Sequence, residues 1–437
     1  MTAESTPDPI FSIVIPVWNG AAYLPACLES LAAQTACRPW NRCEIIAVDN
    51  ASVDDSAAVI ESLGGAVRLL RNPSNLGFGG GCNRGLAAAR GEILVVLNQD
   101  TTVVPGWLEA LSAVFEDPQV GIAGCRILYP GSEIVQHTGG RIDWPLGLAH
   151  HLADGDDQPL EREWVTGAAL AMRRAVYSEI GGFDEGFWPG YFEDTDLCLR
   201  ARAKGYKVLY VPDAVVYHQE STSLTDRRQL NAAYQRGRLR FVLKHLSPDR
   251  WLREFVPAER AFQREGMRGQ DSITLHLAYL WTMLTAGAVL REQWQAPLST
   301  QIQVYDALQA LYHQSWHDER ERLQMGVNSL WRLWPQSLPT VDATSPVAEP
   351  PVMDDIRFHS SLPIVGPLVS GLRTLWYNMA ARWALAHLRR QQEVINRVQA
   401  AQIEQLQRQI NVLVHENELL ARQLAGRQTD GSERPLC

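Results

Sequence analysis

The chain has 437 residues, about enough for two or three domains. Its 46% apolar and 20% charged residues are ordinary for a globular protein. The formal net charge of −9 argues against a broad nucleic-acid-binding surface, because an acidic protein does not attract phosphate groups.

The cysteines and the N-terminus bear on location. Seven cysteines are scattered along the chain without a CxxC pair, and their odd number predicts reduced thiols and a cytoplasmic location. The first residues, MTAESTPDPI, have neither the basic nor the apolar region of a signal peptide. The apolar segment 273–290 is short for a membrane span and contains His276, so a buried core helix is favoured over a membrane segment.

Short apolar runs alternate with helical patterns through the first hundred residues. This rhythm predicts βαβ units and a parallel sheet, in which ligands bind beyond the carboxyl ends of the strands. The predicted strands are 11–16, 44–48, 67–70 and 92–97, and the predicted helices are 21–34, 54–63 and 82–90.

Polar and turn-forming residues follow three of these strands. They are PVWNG at 16–20, DNAS at 49–52 and NQDT at 98–101, and the glycine-rich NLGFGGGCNRG occupies 75–85. Glycines let a backbone approach a diphosphate, and a carboxylate such as Asp100 can hold a divalent cation. Each segment alone is also typical of a turn, but together at one sheet edge they favour a nucleotide site.

A second group of motifs lies farther along the chain. In GFDEGFWPGYFEDTDLCLR, residues 182–200, aromatic residues precede Glu193, Asp194 and Asp196. The helix dipole explains acidic residues in a first turn, and we prefer that structural interpretation for Asp196. Aromatic faces beside carboxylates suit a sugar ring. His218, in VVYHQES, is a candidate ligand for a metal.

In order and approximate spacing, these segments resemble the family-2 glycosyltransferases with the GT-A fold over about residues 11–245. The NLGF and LNQDT segments are most similar to bacterial rhamnosyltransferases, which use dTDP-L-rhamnose. The resemblance implies a doubly wound, mixed and mainly parallel sheet. It also implies a nucleoside-diphosphate sugar as donor.

The resemblance also implies roles for particular residues. Asp194 matches a catalytic base, and Asp100 and His218 match ligands of Mg²⁺ or Mn²⁺. Asn98 replaces the first carboxylate of the family's DxD motif, which weakens the implied metal site. The residues implied to border the nucleotide and sugar are Pro16, Trp18, Asn19, Asp49, Asn50, Gly77, Phe78 and Asn83.

The C-terminal part is predicted to be helical, with a short coiled coil. Leucine and isoleucine recur at a and d positions of three heptads, and the polar a residue Asn417 favours a parallel homodimer. A helix packed on its own protein is the alternative. Residues 368–390 combine an apolar stripe with basic flanks, which suits either peripheral membrane contact or core packing.

Four regions follow from these patterns. They are a catalytic domain at 10–245, a helical region at 246–335, a linker at 336–362, and an amphipathic helix with a coiled coil at 363–425.

The predicted function is an inverting, nonprocessive glycosyltransferase of cell-surface polysaccharide synthesis. It would move a sugar, with L-rhamnose as a candidate, to a hydroxyl of a glycan or lipid-linked acceptor. Two alternatives stay open. A nucleotidyltransferase would need a basic glycine-rich loop after the first strand, where PVWNG stands. A noncatalytic dimerising scaffold with a GT-A fold would not need Asp100, Asp194 and His218.

Overall fold

A computed structural model describes residues 9–34, 42–154, 157–220, 227–266 and 270–315. The predicted linker, amphipathic helix and coiled coil lie outside these ranges, and so does the predicted dimer interface. The four predicted regions therefore remain predictions.

A ten-stranded mixed sheet forms the centre of the fold, in the order β10-β12-β6-β11-β4-β1-β2-β3, with β5 beside β12 and β7 beside β6. Strands β4, β1, β2 and β3 are parallel, whereas β11 is antiparallel to both its neighbours. The strands of this sheet are β1 Phe11–Val17, β2 Cys43–Asp49, β3 Arg68–Arg71, β4 Ile93–Leu97, β5 Thr101–Val103, β6 Val120–Leu128, β7 Val135–His137, β10 Leu160–Glu161, β11 Ala169–Arg173 and β12 Lys207–His218. Strands β8 Gly140–Asp143 and β9 Leu148–His151 form a separate hairpin.

Helices follow most of the strands. They are α1 Leu24–Ala32, α2 Ser56–Glu61, α3 Gly77–Ala88, α4 Trp107–Val114, α5 Arg174–Ile180, α6 Glu193–Ala203, α7 Arg227–His245, α8 Pro248–Arg250, α9 Val256–Gly266, α10 Gln270–Ala288 and α11 Leu298–Gln314. A 3-10 turn spans Glu185–Phe187, and π-helical segments span Trp251–Phe255 and Val289–Gln293. The mixed, mostly parallel sheet with flanking helices confirms that part of the predicted fold class, whereas the predicted coiled coil stays a prediction.

The hydrophobic core lies on both faces of the sheet, as the strand β1 shows. Ile13 and Ile15 belong to one buried cluster with α1 and α4, whereas Val14 belongs to a second cluster with α3, α6 and α7. Successive strand residues point to opposite faces, so an unbroken apolar strand is buried on both. This explains why FSIVIPV is apolar without alternation.

Helix α3 begins earlier than the sequence predicted. It starts at Gly77 instead of residue 82, so most of the predicted glycine-rich loop is helical. The glycines let α3 lie close to the sheet. A Cβ atom on Gly85 would stand 2.3 Å from Val14 Cγ1, and one on Gly81 would stand 3.2 Å from Asn50 Nδ2. The close packing of α3 on the sheet explains why glycine is needed at these two positions.

The helices after residue 245 share a core with the sheet domain. Helix α10 packs along α7, and its Leu275 and Tyr279 are fully buried in the same cluster as Val14. The apolar segment 273–290 is therefore a core helix, as the sequence favoured. Within the described part of the chain, no helix has the length and apolar character needed to cross a membrane.

One expectation about the cysteines is wrong. Cys27, Cys82, Cys125 and Cys198 are free and buried, but Cys43 at the start of β2 is disulfide-bonded. Sequence spacing could not reveal the bond, because it depends on which cysteines the fold brings together.

Candidate active site

The first cluster of the site joins the ends of β4 and β12. Asp100 lies in the turn between β4 and β5, and β5 pairs with β12 so that Thr101 is the register partner of His218. His218 Nε2 stands 3.4 Å from Asp100 Oδ1 and 3.4 Å from Asn98 Nδ2. The side chains of Asp100 and His218 are only 6% and 13% exposed. Strand pairing thus brings the two candidate metal ligands together.

Gln136 on β7 fixes the orientation of the His218 ring. Its Oε1 lies 2.8 Å from His218 Nδ1. Because an amide oxygen only accepts hydrogen bonds, Nδ1 is a donor in this contact, and the neutral form of the ring then has its lone pair on Nε2. That lone pair is the one on the Asp100 side. Gln136 was not predicted from the sequence, because it belongs to no motif and its contact with His218 follows only from the strand pairing.

The chemistry of this cluster fits a cation shared with a phosphate ligand. Among the residues that the structure describes, no three His, Cys, Asp or Glu side chains form a group able to enclose a metal. Mg²⁺ is commonly held by one or two carboxylates, with water and substrate phosphates completing its coordination. Asp100 and His218 provide one carboxylate and one imidazole for such a site. Asn98 leaves it one anionic ligand short of a DxD motif.

The second cluster is centred on Asp194, in the first turn of α6. The Gly167 N–H donates to Asp194 Oδ2 at 2.9 Å, and the Thr195 N–H donates to Oδ1 at 2.6 Å. The side chain is only partly buried. Both donors are backbone N–H groups, which fix the position of the carboxylate at the start of α6. Asp194 is thus held in one orientation with part of its surface open.

The neighbouring Glu193 has different chemistry. It is 6% exposed, and its Oε2 atom has no hydrogen-bond partner among the described residues. Burial, and then the charge of Asp194, raise the pKa of the Glu193 carboxyl well above its usual value. Burial thus disfavours the charged form of Glu193, which lies beside the more open side chain of Asp194.

Asp196 has a structural role. Its fully buried carboxylate contacts Lys244 Nζ at 2.6 Å, Arg200 Nε at 2.8 Å and His245 Nε2 at 2.9 Å. Burial alone would raise the pKa of Asp196, but the hydrogen bond from His245 and the charges of Lys244 and Arg200 lower it below its usual value. Asp196 joins α6 to α7. The sequence predicted a structural role, though from the helix dipole and not from these ion pairs.

Only part of the aromatic segment before Asp194 can meet a ligand. Phe187 and Phe192 are 2% and 4% exposed and belong to the core, which corrects the expectation that the aromatic residues of this segment suit a sugar ring. Tyr191 is 38% exposed and Trp188 is half-buried. Tyr191 and Phe192 have φ angles of 77° and 73°, a left-handed pair that costs about 1–3 kcal/mol per residue. Such strain directly before Asp194 is typical of a functional site.

Asn50 holds the segment that enters α3. It is 4% exposed, and its amide nitrogen donates to Asn75 Oδ1 at 3.0 Å and to the Gly77 carbonyl at 2.9 Å. Its oxygen accepts from Asn72 Nδ2 and from the Leu76 N–H, both at 3.0 Å. All four hydrogen-bonding positions of the amide are occupied. The Asn50 side chain thus fixes the segment that enters α3, and its predicted contact with the base stays a prediction.

Asn83 is similarly committed. Its amide pairs with the Phe183 backbone, donating to the carbonyl and accepting from the N–H at 2.8 Å each, and donates to Glu185 Oε1 at 3.0 Å. The Phe78 N–H donates to the Pro189 carbonyl at 2.8 Å. These bonds dock α3 onto the second group of motifs, so Gly77 and Phe78 lie beside the segment that leads to Asp194.

The ends of β1, β2 and β4 meet at one edge. Asn19 Oδ1 accepts from the Val53 N–H at 2.9 Å, and Asp49 Oδ1 accepts from the Ser52 N–H at 2.9 Å. Gln99, which sequence reasoning did not single out, pairs with the Trp18 backbone at 3.0 and 3.1 Å. The predicted residues from 16 to 50 therefore share a sheet edge with Asp100, as parallel strand topology requires.

Two family models match the part of the chain that contains these residues. The model of glycosyl transferase family 2 matches residues 12–181, and the model of the N-terminal domain of galactosyltransferase matches residues 150–221. The first match includes the Asp100 turn, and the second includes Asp194 and His218.

Three curated relatives illustrate the likeness. The uncharacterized protein y4gI of Sinorhizobium fredii is 34% identical over 230 residues, which are 49% of this chain but only 25% of that protein. The uncharacterized protein MT1568 of Mycobacterium tuberculosis is 30% identical over 229 residues, 50% of this chain and 70% of that protein. The N-acetylglucosaminyl-diphospho-decaprenol L-rhamnosyltransferase of M. tuberculosis is 27% identical over 245 residues, 49% of this chain and 77% of that protein.

These matches place the chain among the glycosyltransferases. The chain belongs to glycosyl transferase family 2, and it is similar to a rhamnosyltransferase within the set of curated relatives.

Proposed function

We propose that the chain is an inverting, nonprocessive glycosyltransferase that moves a sugar from a nucleoside-diphosphate sugar to a hydroxyl of a glycan or lipid-linked acceptor. Membership of the family supports sugar transfer as the reaction class. The similarity to an L-rhamnosyltransferase supports L-rhamnose as the first donor sugar to test. Residues 10–245 are proposed as the catalytic domain. Cell-surface polysaccharide synthesis at the cytoplasmic face of the membrane is the proposed setting.

The observation that carries the proposal is the placement of Asp194. Backbone amides of Gly167 and Thr195 hold its carboxylate in one orientation while part of it stays open. Asp194 accepts the proton of the acceptor hydroxyl as that oxygen bonds to the anomeric carbon of the donor. The bond from the anomeric carbon to the diphosphate breaks in the same step, and the nucleoside diphosphate leaves.

The surroundings of Asp194 support a single displacement, which inverts the anomeric configuration. A retaining route through a covalent intermediate would need a second ionised carboxylate as nucleophile. Glu193 is buried and its pKa is raised well above the usual value, which disfavours its ionised form. The Asp196 carboxylate is fully buried and forms ion pairs with Lys244, Arg200 and His245, so it is not available as a nucleophile.

The other end of the site suits the leaving group. Asp100 and His218 would hold Mg²⁺ or Mn²⁺, which when bound neutralises charge that develops on the departing diphosphate. Pro16, Trp18, Asn19 and Asp49 are proposed to border the nucleotide. Gly77 and Phe78 are proposed to lie near the donor sugar, with Asn50 and Asn83 supporting that segment from behind.

Nucleoside diphosphate release from a panel of donors tests the proposal. The panel contains dTDP-L-rhamnose, UDP-glucose, UDP-N-acetylglucosamine and GDP-mannose, with an octyl N-acetylglucosaminide as acceptor and mass spectrometry of the product. Asp194→Asn should lower turnover by about 10²–10⁴-fold while donor binding persists, because loss of a general base typically costs that much.

Asp213→Asn is the matched control, since Asp213 is an exposed carboxylate on β12. It should transfer sugar at the wild-type rate. Near-normal transfer by Asp194→Asn would refute the assignment of the base. Failure of the wild type to release diphosphate from any donor would favour the noncatalytic scaffold.

A further inference from the structure

Two histidines that the proposed reaction does not yet use form a pair beside the site. His137 on β7 is 1% exposed, whereas His151 at the end of β9 is exposed. Their Nδ1 atoms are 2.9 Å apart. Both rings pack against the buried Trp164, with ring centroids 5.1 Å and 4.9 Å from it. The pair is therefore held in place by packing as well as by a hydrogen bond.

The direction of the hydrogen bonds in this pair follows from one backbone amide. The Thr166 N–H lies 3.1 Å from His137 Nε2 and can only donate, so Nε2 of His137 is the acceptor. A neutral His137 then carries its proton on Nδ1 and donates it to His151 Nδ1. A neutral His151 must in turn carry its proton on Nε2. We call this chain of hydrogen bonds, from the Thr166 N–H through His137 to His151, the relay. It fixes the tautomer of a neutral His151 ring, whose N–H is then on Nε2.

The environment keeps both rings neutral near pH 7. Burial lowers the pKa of His137 well below its usual value, and the neighbouring His151 lowers it further. Partial burial of the His151 ring also lowers its pKa, although the charges of Asp194 and Glu220 act in the opposite direction. Protonation of His151 on Nδ1 would set two N–H groups against each other. The relay and the burial therefore favour the same neutral state.

The pair lies next to the proposed base. Thr166, which starts the relay, directly precedes Gly167, whose N–H holds Asp194. The charges of Asp194 and Glu220 both reach the His151 ring, and Glu220 follows His218 by two residues. His151 is therefore an exposed side chain within reach of the charge of the proposed base.

Strand β7 sets two imidazoles to opposite polarity. Gln136 accepts from His218 Nδ1 and leaves a lone pair on Nε2, as a metal ligand requires. The next residue, His137, donates to His151 Nδ1, so that a neutral His151 has its N–H on its own Nε2. In their neutral forms, His218 therefore presents a hydrogen-bond acceptor at Nε2, whereas His151 presents a donor at Nε2.

We propose that His151 binds the acceptor, donating its Nε2–H to an oxygen of a sugar hydroxyl beside the one that Asp194 deprotonates, and that His137 is the positioning residue that fixes this donor. The inference rests on the proposed function, because it needs a polyhydroxylated acceptor next to Asp194. An uncharged donor suits such a ligand, since it orients a hydroxyl without attracting phosphate or carboxylate groups.

The tautomer is measured first, on the resting protein without substrate. Two-dimensional ¹H–¹⁵N NMR of the imidazole side chains should show His151 protonated at Nε2 and His137 protonated at Nδ1 at pH 7. A His151 ring protonated at Nδ1, or a charged ring, overturns the proposal whether or not the protein transfers sugar.

Acceptor kinetics then separate hydrogen bonding from packing. With octyl N-acetylglucosaminide as the probe, His151→Phe keeps an aromatic ring but removes the N–H, and should raise the acceptor KM about threefold to tenfold. His151→Gln keeps an N–H near the Nε2 position and should recover most of that loss. The donor KM should stay constant in both variants. His150→Gln is the control, because His150 on the same strand lies 2.9 Å from Asp143 and not in the relay.

Two kinetic outcomes contradict the inference. An unchanged acceptor KM in His151→Phe would mean that the N–H binds no substrate. A loss in His151→Gln equal to that in His151→Phe would mean that only ring packing matters. If the wild type transfers no sugar to the probe, the proposed function fails at that control, and the NMR result still decides whether His151 presents an N–H.

Discussion

At the scale of single residues, the proposed metal site depends on orientation as much as on charge. Asp100 is the one carboxylate of the NQD segment, where the related motif has two. His218 must then supply a well-placed lone pair, and Gln136 secures it by holding Nδ1 at 2.8 Å. Mutation of a residue that orients a metal ligand in this way commonly lowers metal affinity or activity by about 10–100-fold.

Metal titration of sugar transfer tests this arrangement. EDTA should stop transfer by the wild type, and Mg²⁺ or Mn²⁺ should restore it. Gln136→Leu should need about 10–100-fold more metal for half-maximal activity, because the His218 ring loses its fixed tautomer. Gln119→Ala, at an exposed position, should titrate like the wild type.

Full activity in chelator would contradict the metal prediction. It would mean that protein groups alone neutralise the leaving diphosphate. An unchanged metal requirement in Gln136→Leu would instead show that His218 needs no orienting partner.

At the scale of elements, helix α7 carries two buried arginines in contrasting environments. The guanidinium of Arg238 pairs with Glu259 at 2.6 Å, and both side chains are fully buried. Arg236, two residues earlier, lies over the rings of Trp188 and Trp281 at 5.4 and 4.8 Å. It has no carboxylate partner in the described part of the chain, and burial lowers its pKa to about 10.

Urea denaturation of two matched variants should separate these environments. Arg238→Met leaves the Glu259 carboxylate buried without a counter-charge, so the free energy of unfolding should fall by about 3–5 kcal/mol. Arg236→Met removes a buried cation that has no ion pair to lose, and methionine can keep the contact with the two indoles. Its effect on stability should be within about 1 kcal/mol of zero.

Equal losses in the two variants would contradict this distinction. They would show that the cation–π contacts of Arg236 stabilise the fold as strongly as the buried ion pair of Arg238 does.

At the scale of the whole molecule, assembly is predicted from the heptads near residue 417, which lie outside the described residues. Buried leucine and isoleucine side chains contribute about 1.5–3 kcal/mol each, enough for a short two-stranded coil with little margin. Asn417 can pair with its counterpart in a parallel dimer and disfavours registers in which it would face leucine. Light scattering of the intact chain should therefore report a homodimer.

Deletion of residues 391–437 is the matching test. The truncated chain should be a monomer that still transfers sugar to a soluble acceptor, because the proposed site residues all lie between Pro16 and His218. If the intact chain is also a monomer, the coiled-coil prediction is wrong and the apolar seam packs within one chain.

The sequence predicted the features that depend on local pattern. Buried strands such as β1 appear as unbroken apolar runs, and the alternation of strands and helices indicates a wound sheet. Parallel topology then brings residues that follow β1, β2 and β4 to one edge, so Trp18, Asp49 and Asp100 could be grouped before any contact was known. The order of six motifs was sufficient to suggest the family.

The tertiary structure decided what depends on contacts between distant residues. Asn50 resembles a ligand-binding residue in the sequence, but its four hydrogen bonds to residues 72–77 make it a structural hub. Gln136 and His137 have no motif, and only strand pairing places them against His218 and His151. Periodicity encodes which face of an element is apolar. It does not encode which polar groups meet, because each such pair is set by the packing of segments tens of residues apart.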